Sequence, residues 1–249
     1  MNNSNIAQGV PGMTLGRYHL LQRIGQGGIG EVWLADDTQL RRQVAVKLLP
    51  YVAASDHSYL RDFEREARAA AALEHPHILP VHDFGEQQEE GTVITYIVMP
   101  YITGGSLRER LRGINGLLPT DQALYYLRQA AQAIDYAHSQ DVLHRDIKPA
   151  NMLLQRDWLF LADFGIAKLL TSSKIQSGTH AGAGTPEYMA PELAQGKAEF
   201  ASDRYSLGVV AYQLLCLQHA HLSVWHAAIP IANAVNTGDA FTRDSRQPD

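Results

Sequence analysis

Hydrophobic positions in the first hundred residues alternate with polar ones and gather in short runs, and those runs predict strands. "YHLLQRIGQ" and "GEVWLADD" are joined by glycines, the pattern of a β-hairpin. "QVAVKLL" adds an alternating third strand, and "ILPVHDF" and "TVITYIVM" complete a set of about five. Among them lies "SYLRDFEREARAAAALEH", rich in residues that lose little freedom on entering a helix; Pro76 is expected to end it.

After "PYITGG" the period changes to that of helices. "SLRERLRG" is a short one with Ser106 as N-cap. Thr120 opens a longer one, in which Leu124, Leu127, Ala131, Ile134 and Ala137 or His138 recur at helical spacing. "NMLL" and "WLFLAD" predict two short strands. Residues from Gly165 to about Gly184 are rich in Gly, Ser and Thr and predict a mobile loop. "SDRYSLGVVAYQLLC" predicts a helix apolar on nearly every face, hence buried all round. The chain therefore divides near Pro100 to Gly104 into a strand-rich half and a helical half, an α+β arrangement. Residues 1–17 read as a polar, flexible leader.

Composition narrows the class. The 249 residues are 45% hydrophobic and 19% charged, a globular balance. A net charge of −5 argues against nucleic acid as the main partner, because phosphate backbones need a basic surface. Cys216 is the sole cysteine, so no disulfide forms within the chain, which fits a reducing, cytoplasmic setting. No apolar run reaches the length of a membrane span.

Several polar residues sit where the pattern alone does not call for them. Gly25, Gly27, Gly28 and Gly30 would let backbone N–H groups approach phosphate oxygens. Lys47 lies inside an apolar strand, where its ammonium needs an anionic partner; Glu66 is the candidate, with Glu64 on another helix face. "VLHRDIKPANMLL" packs polar groups between apolar ends. Of these, Asp146 can orient or deprotonate a hydroxyl, Lys148 can neutralise developing charge, and Asn151 can ligate a metal through its amide oxygen. Asp163 of "ADFG" offers a second carboxylate at a strand end. A second "DFG", at Asp83, precedes all of these and reads as a loop carboxylate without a catalytic role. His219, His221 and His226 lack a carboxylate or cysteine at metal-site spacing.

Taken together, "GQGGIGEV", "VAVK", "FEREA", "HRDIKPAN", "DFG", "GTPEYMAPE" and "SDRYSLG" resemble the eukaryotic-type protein kinase family in its bacterial Ser/Thr branch, over about residues 18 to 215. The resemblance implies a bilobal fold, with an N-lobe over 18–100 and a partial C-lobe over 101–216 that lacks its last helices. It implies Mg-ATP as cofactor and a protein substrate with a Ser or Thr acceptor, and it allows a kinase-domain dimer. Gly25, Gln26, Gly27, Gly28, Ile29 and Gly30 would cover the ATP phosphates. Ile24, Val32, Ala45 and Leu153 would enclose adenine, with Met99 as gatekeeper and Pro100 to Ile102 as hinge. Lys47 would hold the α- and β-phosphates and pair with Glu66, Asp146 would serve the acceptor hydroxyl, and Asn151 and Asp163 would bind magnesium. Lys148 is the Ser/Thr signature, and Thr185 would help seat the acceptor.

Arg145 would clamp a phosphate on the following loop, where Thr171, Ser172, Ser173, Ser177 and Thr179 are candidate sites, including for autophosphorylation. Past Cys216 the family pattern stops, and residues 217–249 read as a non-family, frameshifted tail that leaves the apolar helix uncovered. A non-catalytic nucleotide-binding or scaffolding remnant is the alternative function.

Overall fold

The computed structural model describes residues 9–27, 30–49, 52–53, 56–89, 92–114, 118–164 and 186–216. Nine strands and five helices are labelled here in chain order. The N-terminal half is an antiparallel sheet of β1 (Thr14–Leu15), β2 (Tyr18–Gly27), β3 (Gly30–Asp37), β4 (Arg42–Leu48), β5 (Val52–Ala53), β6 (Asp83–Glu89) and β7 (Thr92–Pro100). β7 pairs on one edge with β4 and β5 and on the other with β6. The predicted hairpin is β2–β3, closing at Gly27 opposite Gly30. Only glycine fits at 30: its φ is +139°, and a Cβ there would run into the Leu48 carbonyl.

Two strand expectations shift. The leader does not stay free up to residue 17. Thr14 and Leu15 pair with β2, Leu15 is fully buried, and the Gly9 N–H donates to Glu31 Oε2 at 3.1 Å. The expected strand "ILPVHDF" instead begins pairing along β7 only at Asp83. Its first residues reach into the other half: Ile78 bridges Leu161, and the Leu79 N–H donates to the Leu161 carbonyl at 3.0 Å. Asp83 is thus a strand residue, and its carboxylate accepts from the Tyr18 hydroxyl at 2.6 Å. That anchors β2 to β6 and uses the first "DFG" structurally.

Helix α1 (His57–Ala71) starts at Asp56, whose side chain accepts from the Tyr59 N–H, and ends before Pro76 as expected. Tyr59, Phe63, Ala67 and Ala70 form its buried stripe. They pack on Leu49, Ile97 and Met99 of the sheet half. Each large side chain buried this way contributes about 1.5–3 kcal/mol.

The second half holds α2 (Leu107–Gly113), α3 (Thr120–Ser139), β8 (Met152–Gln155), β9 (Trp158–Leu161), α4 (Pro191–Ala194) and α5 (Phe200–Leu215). Ser106 caps α2 through a reciprocal box with Glu109. In α3 the buried face runs through Ala123, Tyr126, Ala130, Ala133, Ile134 and Ala137, whereas Leu124 is 50% exposed. The periodicity was sound but the face is displaced. A row of alanines lets neighbouring backbone approach closely, and that favours the small-residue side over the leucine side. α5 is buried along Asp203, Ser206, Val210 and Leu214, while Tyr205 and Tyr212 are 44% and 45% exposed. Its burial is a stripe toward the core of this half, not the complete jacket its composition predicts.

The two halves are also joined by a ring cluster. His75 stacks on Tyr136 at 5.1 Å, His77 lies 4.7 Å from Trp158, and the Trp158 indole donates to the Pro76 carbonyl at 2.8 Å. Burial, and then the neighbouring His77, hold the His75 imidazole below its ordinary value of 6.5; burial and then Arg42 do the same to His82. A histidine with a lowered folded value binds protons more readily once unfolded. Its stabilising contribution is therefore intact above about pH 6.5 and is lost as pH falls through the folded value. Melting temperature should fall between about pH 7.5 and pH 5.5. His75→Phe, which keeps the stacking surface, should make that fall shallower; an unchanged slope would show that His75 does not contribute.

Candidate active site

Between the sheet and the helical half lies a cleft of about 600 Å³. Its roof is Ile24, Gly25, Gln26, Gly30 and Val32 from β2 and β3, with Ala45 and Lys47 from β4. Met99, Pro100 and Ile102 form the back, and Asp146, Lys148, Asn151, Leu153 and Asp163 form the floor. These candidate residues, more than 100 positions apart at the extremes, therefore face one volume. Strand alternation explains the roof, because Val32, Ala45 and Lys47 share the face opposite Trp33, Val44 and Val46, which are buried behind the sheet. Gly28, Ile29 and Thr185 lie outside the described residues, as do the five candidate phosphosites, the predicted loop and the histidines after Cys216. Gly27 pairs with Gly30 at the end of the hairpin.

Lys47 is 5% exposed, and its Nζ stands 2.7 Å from Asp163 Oδ2. The sequence pairs this lysine with Glu66. In the structure the strand lysine turns to the floor carboxylate instead, and Glu66 Oε1 accepts from the Arg65 guanidinium at 3.3 Å. A buried ammonium takes the carboxylate within reach, and the residue that supplies it is a matter of how the halves are juxtaposed.

The floor is one hydrogen-bonded unit. Asp146 Oδ2 accepts from Lys148 Nζ at 2.7 Å and from Asn151 Nδ2 at 3.0 Å. Asn151 Nδ2 also donates to the Asp146 carbonyl at 2.8 Å. Among the described residues both contacts to the Asp146 side chain use Oδ2, and Oδ1 is left without one. Asn151 commits its NH₂, so its Oδ1 is the atom left for a cation. A carboxylate and an amide oxygen are hard donors that suit magnesium.

The backbone that presents Asp146 is held from beneath. Asp203, 1% exposed on α5, accepts from the His144 N–H and the Arg145 N–H, each at 2.8 Å, and from His138 Nε2 at 2.8 Å. Arg145 has φ +67°, a left-handed conformation that costs a non-glycine residue about 1–3 kcal/mol. Two backbone bonds to one buried carboxylate hold that turn in place. His144 accepts from the Asp146 N–H at Nδ1 and meets the Ala162 carbonyl at Nε2, 2.9 Å away, so its neutral form carries the proton on Nε2. The same ring lies 4.6 Å from Phe164, tying the turn to the residue after Asp163. Asp163 itself has φ +72°.

Sequence reasoning missed part of the cleft's lining: Thr103, Gly105, Ser106, Arg108 and Glu109 also line it, beside Tyr101 of the expected hinge. The signal was "TGGSLRE", which the helix-capping pattern explained without reference to a cleft. Gly104 is required because a Cβ there would collide with the Leu154 carbonyl; the Leu154 N–H donates to the Gly105 carbonyl at 2.8 Å. That contact brings α2 to the floor. Glu31, directly after Gly30, points away from the cleft and is 2% exposed. It braces the hairpin by accepting from Arg23 at 2.7 Å and the Trp33 indole at 3.0 Å.

A family model described as "Protein kinase domain" matches residues 18–230, continuing beyond Cys216. Serine/threonine-protein kinase PrkC of Bacillus subtilis is 42% identical over 80% of this chain, which spans 30% of that protein. Serine/threonine-protein kinase PknA of Mycobacterium tuberculosis is 43% identical over 81% of this chain, which spans 47% of it. The chain thus spans 30% to 47% of the length of these curated relatives. The crystal structure of the Mycobacterium tuberculosis PknI kinase domain superposes with a TM-score of 0.65 at 34% identity, covering 83% of this chain and 77% of that one.

Proposed function

Because the chain belongs to the protein kinase domain family, we propose that it transfers the γ-phosphoryl group of ATP to serine or threonine hydroxyls of proteins. One observation carries this reading: Lys47, Asp146, Lys148, Asn151 and Asp163 line a single cleft beneath a glycine-turned hairpin. Phosphoryl transfer through a loose transition state asks a protein mainly for positioning and charge neutralisation, and these residues are equipped for both. The Gly25–Gly30 turn offers backbone N–H groups to phosphate oxygens. Lys47 supplies a desolvated cation to the phosphates. Asp146, steered through Oδ2, presents Oδ1 to orient the acceptor hydroxyl and take its proton. Lys148 neutralises charge beside it, and a lysine at this position is what marks Ser/Thr acceptors.

Asn151 and Asp163 would hold Mg²⁺, which when bound neutralises phosphate charge. Lys47 and Asp163, paired at 2.7 Å here, would then serve the phosphates and the metal respectively. Arg145 supports a further element of the proposal, autophosphorylation in the segment after Asp163. Its Nε is buried and has no hydrogen-bond partner among the described residues, as a phosphate-clamping guanidinium requires. A cytoplasmic setting is part of the same proposal, and use of ATP and a single thiol are consistent with it. Among the described residues no helix is long and apolar enough to cross a membrane.

The test is transfer of label from γ-labelled ATP to a Ser/Thr peptide and its Tyr counterpart. Label should appear on the Ser/Thr peptide, and Lys47→Met should reduce it about a hundredfold. Equal labelling by wild type and variant, or label confined to tyrosine, would overturn the reading.

A further inference from the structure

The cations of the cleft are not equivalent. Lys47 is engaged by Asp163 at 2.7 Å and Lys148 by Asp146 at 2.7 Å. The third lining cation, Arg108 in the first turn of α2, is exposed and has no ion pair among the described residues. Its acidic neighbour does not neutralise it, because Glu109 Oε2 is turned back onto α2, accepting from the Ser106 N–H at 2.7 Å and the Ser106 hydroxyl at 3.0 Å.

Arg108 also has a definite place relative to the acceptor side. The Tyr188 hydroxyl lies in the turn Pro186–Tyr188, immediately after Thr185, and donates to Gln213 Oε1 at 2.7 Å. Burial, then Glu187, push this phenol up to about 12, and the positive charge of Arg108 works against that rise. Arg108 lines the same cleft as Asp146 and Lys148, and its charge acts on Tyr188 in the 186–188 turn. A protein segment that delivers a hydroxyl to Asp146 enters the cleft that Arg108 lines.

We propose that Arg108 is a specificity residue which selects protein substrates carrying an acidic side chain close to the phosphoacceptor. This deepens the kinase reading and rests on it. A guanidinium offers a carboxylate two parallel N–H donors, and its rivals in the cleft are already committed. Exposure sets the size of the effect: the preference is modest and weakens as salt screens it.

The experiment uses peptides with one threonine and one glutamate walked along either side of it, each beside its glutamine twin. At the best position the wild-type chain should show kcat/KM about three- to tenfold higher for the glutamate peptide. Taking the ratio within each variant removes any loss of folded protein. Arg108→Lys should keep part of the preference, Arg108→Gln should bring the ratio to about one, and Arg108→Glu should reverse it in favour of a lysine twin. A wild-type ratio near one at every position would overturn the proposal and leave the kinase reading standing. So would a ratio that Arg108→Glu leaves unchanged while KM for ATP rises, since Arg108 would then serve the nucleotide. No transfer to any peptide by the wild-type chain would overturn both.

Discussion

Asp146→Asn should lower kcat for peptide phosphorylation by about 10²–10⁴ while changing ATP affinity only a few-fold. The amide keeps the size of the carboxylate but cannot take a proton from the acceptor hydroxyl. It also disrupts the floor, because Oδ2 accepts from both Lys148 and Asn151. An asparagine at this position loses the ion pair with Lys148 and accepts from Asn151 only as a neutral group. ATP binding should survive, since the roof, the back wall and Lys47 are untouched. Steady-state kinetics with varied peptide and varied ATP separate the two effects. A fall of less than tenfold, or one carried wholly by KM for ATP, would show that Asp146 is not the residue that serves the hydroxyl.

Asp203→Ala should be the most damaging change away from the cleft. It strips the acceptor from the His144 and Arg145 N–H groups and from His138 Nε2 at once. Leaving such donors buried without a partner costs about 3–5 kcal/mol, a large part of the 5–15 kcal/mol that holds a domain together. For a chain of this size the melting temperature should fall by roughly 6–20 °C. Asp203→Asn keeps one acceptor oxygen and should lose less. Folded Asp203→Ala protein should also show reduced kcat, because the left-handed Arg145 turn that aims Asp146 is no longer held. A melting curve matching wild type would mean that water or rearrangement replaces the lost acceptor with ease.

Much of this site could be read from residue order. The glycine turn, the strand lysine and the "HRDIKPAN" and "DFG" segments each announce themselves by polar groups where the local pattern expects apolar ones. Strand and helix types followed from period, since alternation and the 3.6-residue repeat are local properties. Elsewhere local pattern was ambiguous. Leu124 and Ala123 are equally compatible with a helix, and packing against a neighbour chose the alanine face. "ILPVHDF" has strand-like composition, yet its first residues serve as a clasp between the halves. Arg108 has no role that residue order reveals, because nothing in "SLRERLRG" shows what stands across from it.

The order of residues by itself determined the types of the elements, the family, and the identity of the groups that meet in the cleft, because those depend on side-chain chemistry and short-range periodicity. Only the tertiary structure decided which charges face each other: Lys47 with Asp163, Asp203 beneath the turn, Arg108 left open. Ion pairing and burial depend on distances of a few ångströms between segments far apart in the chain, and these are settled only when the two halves pack.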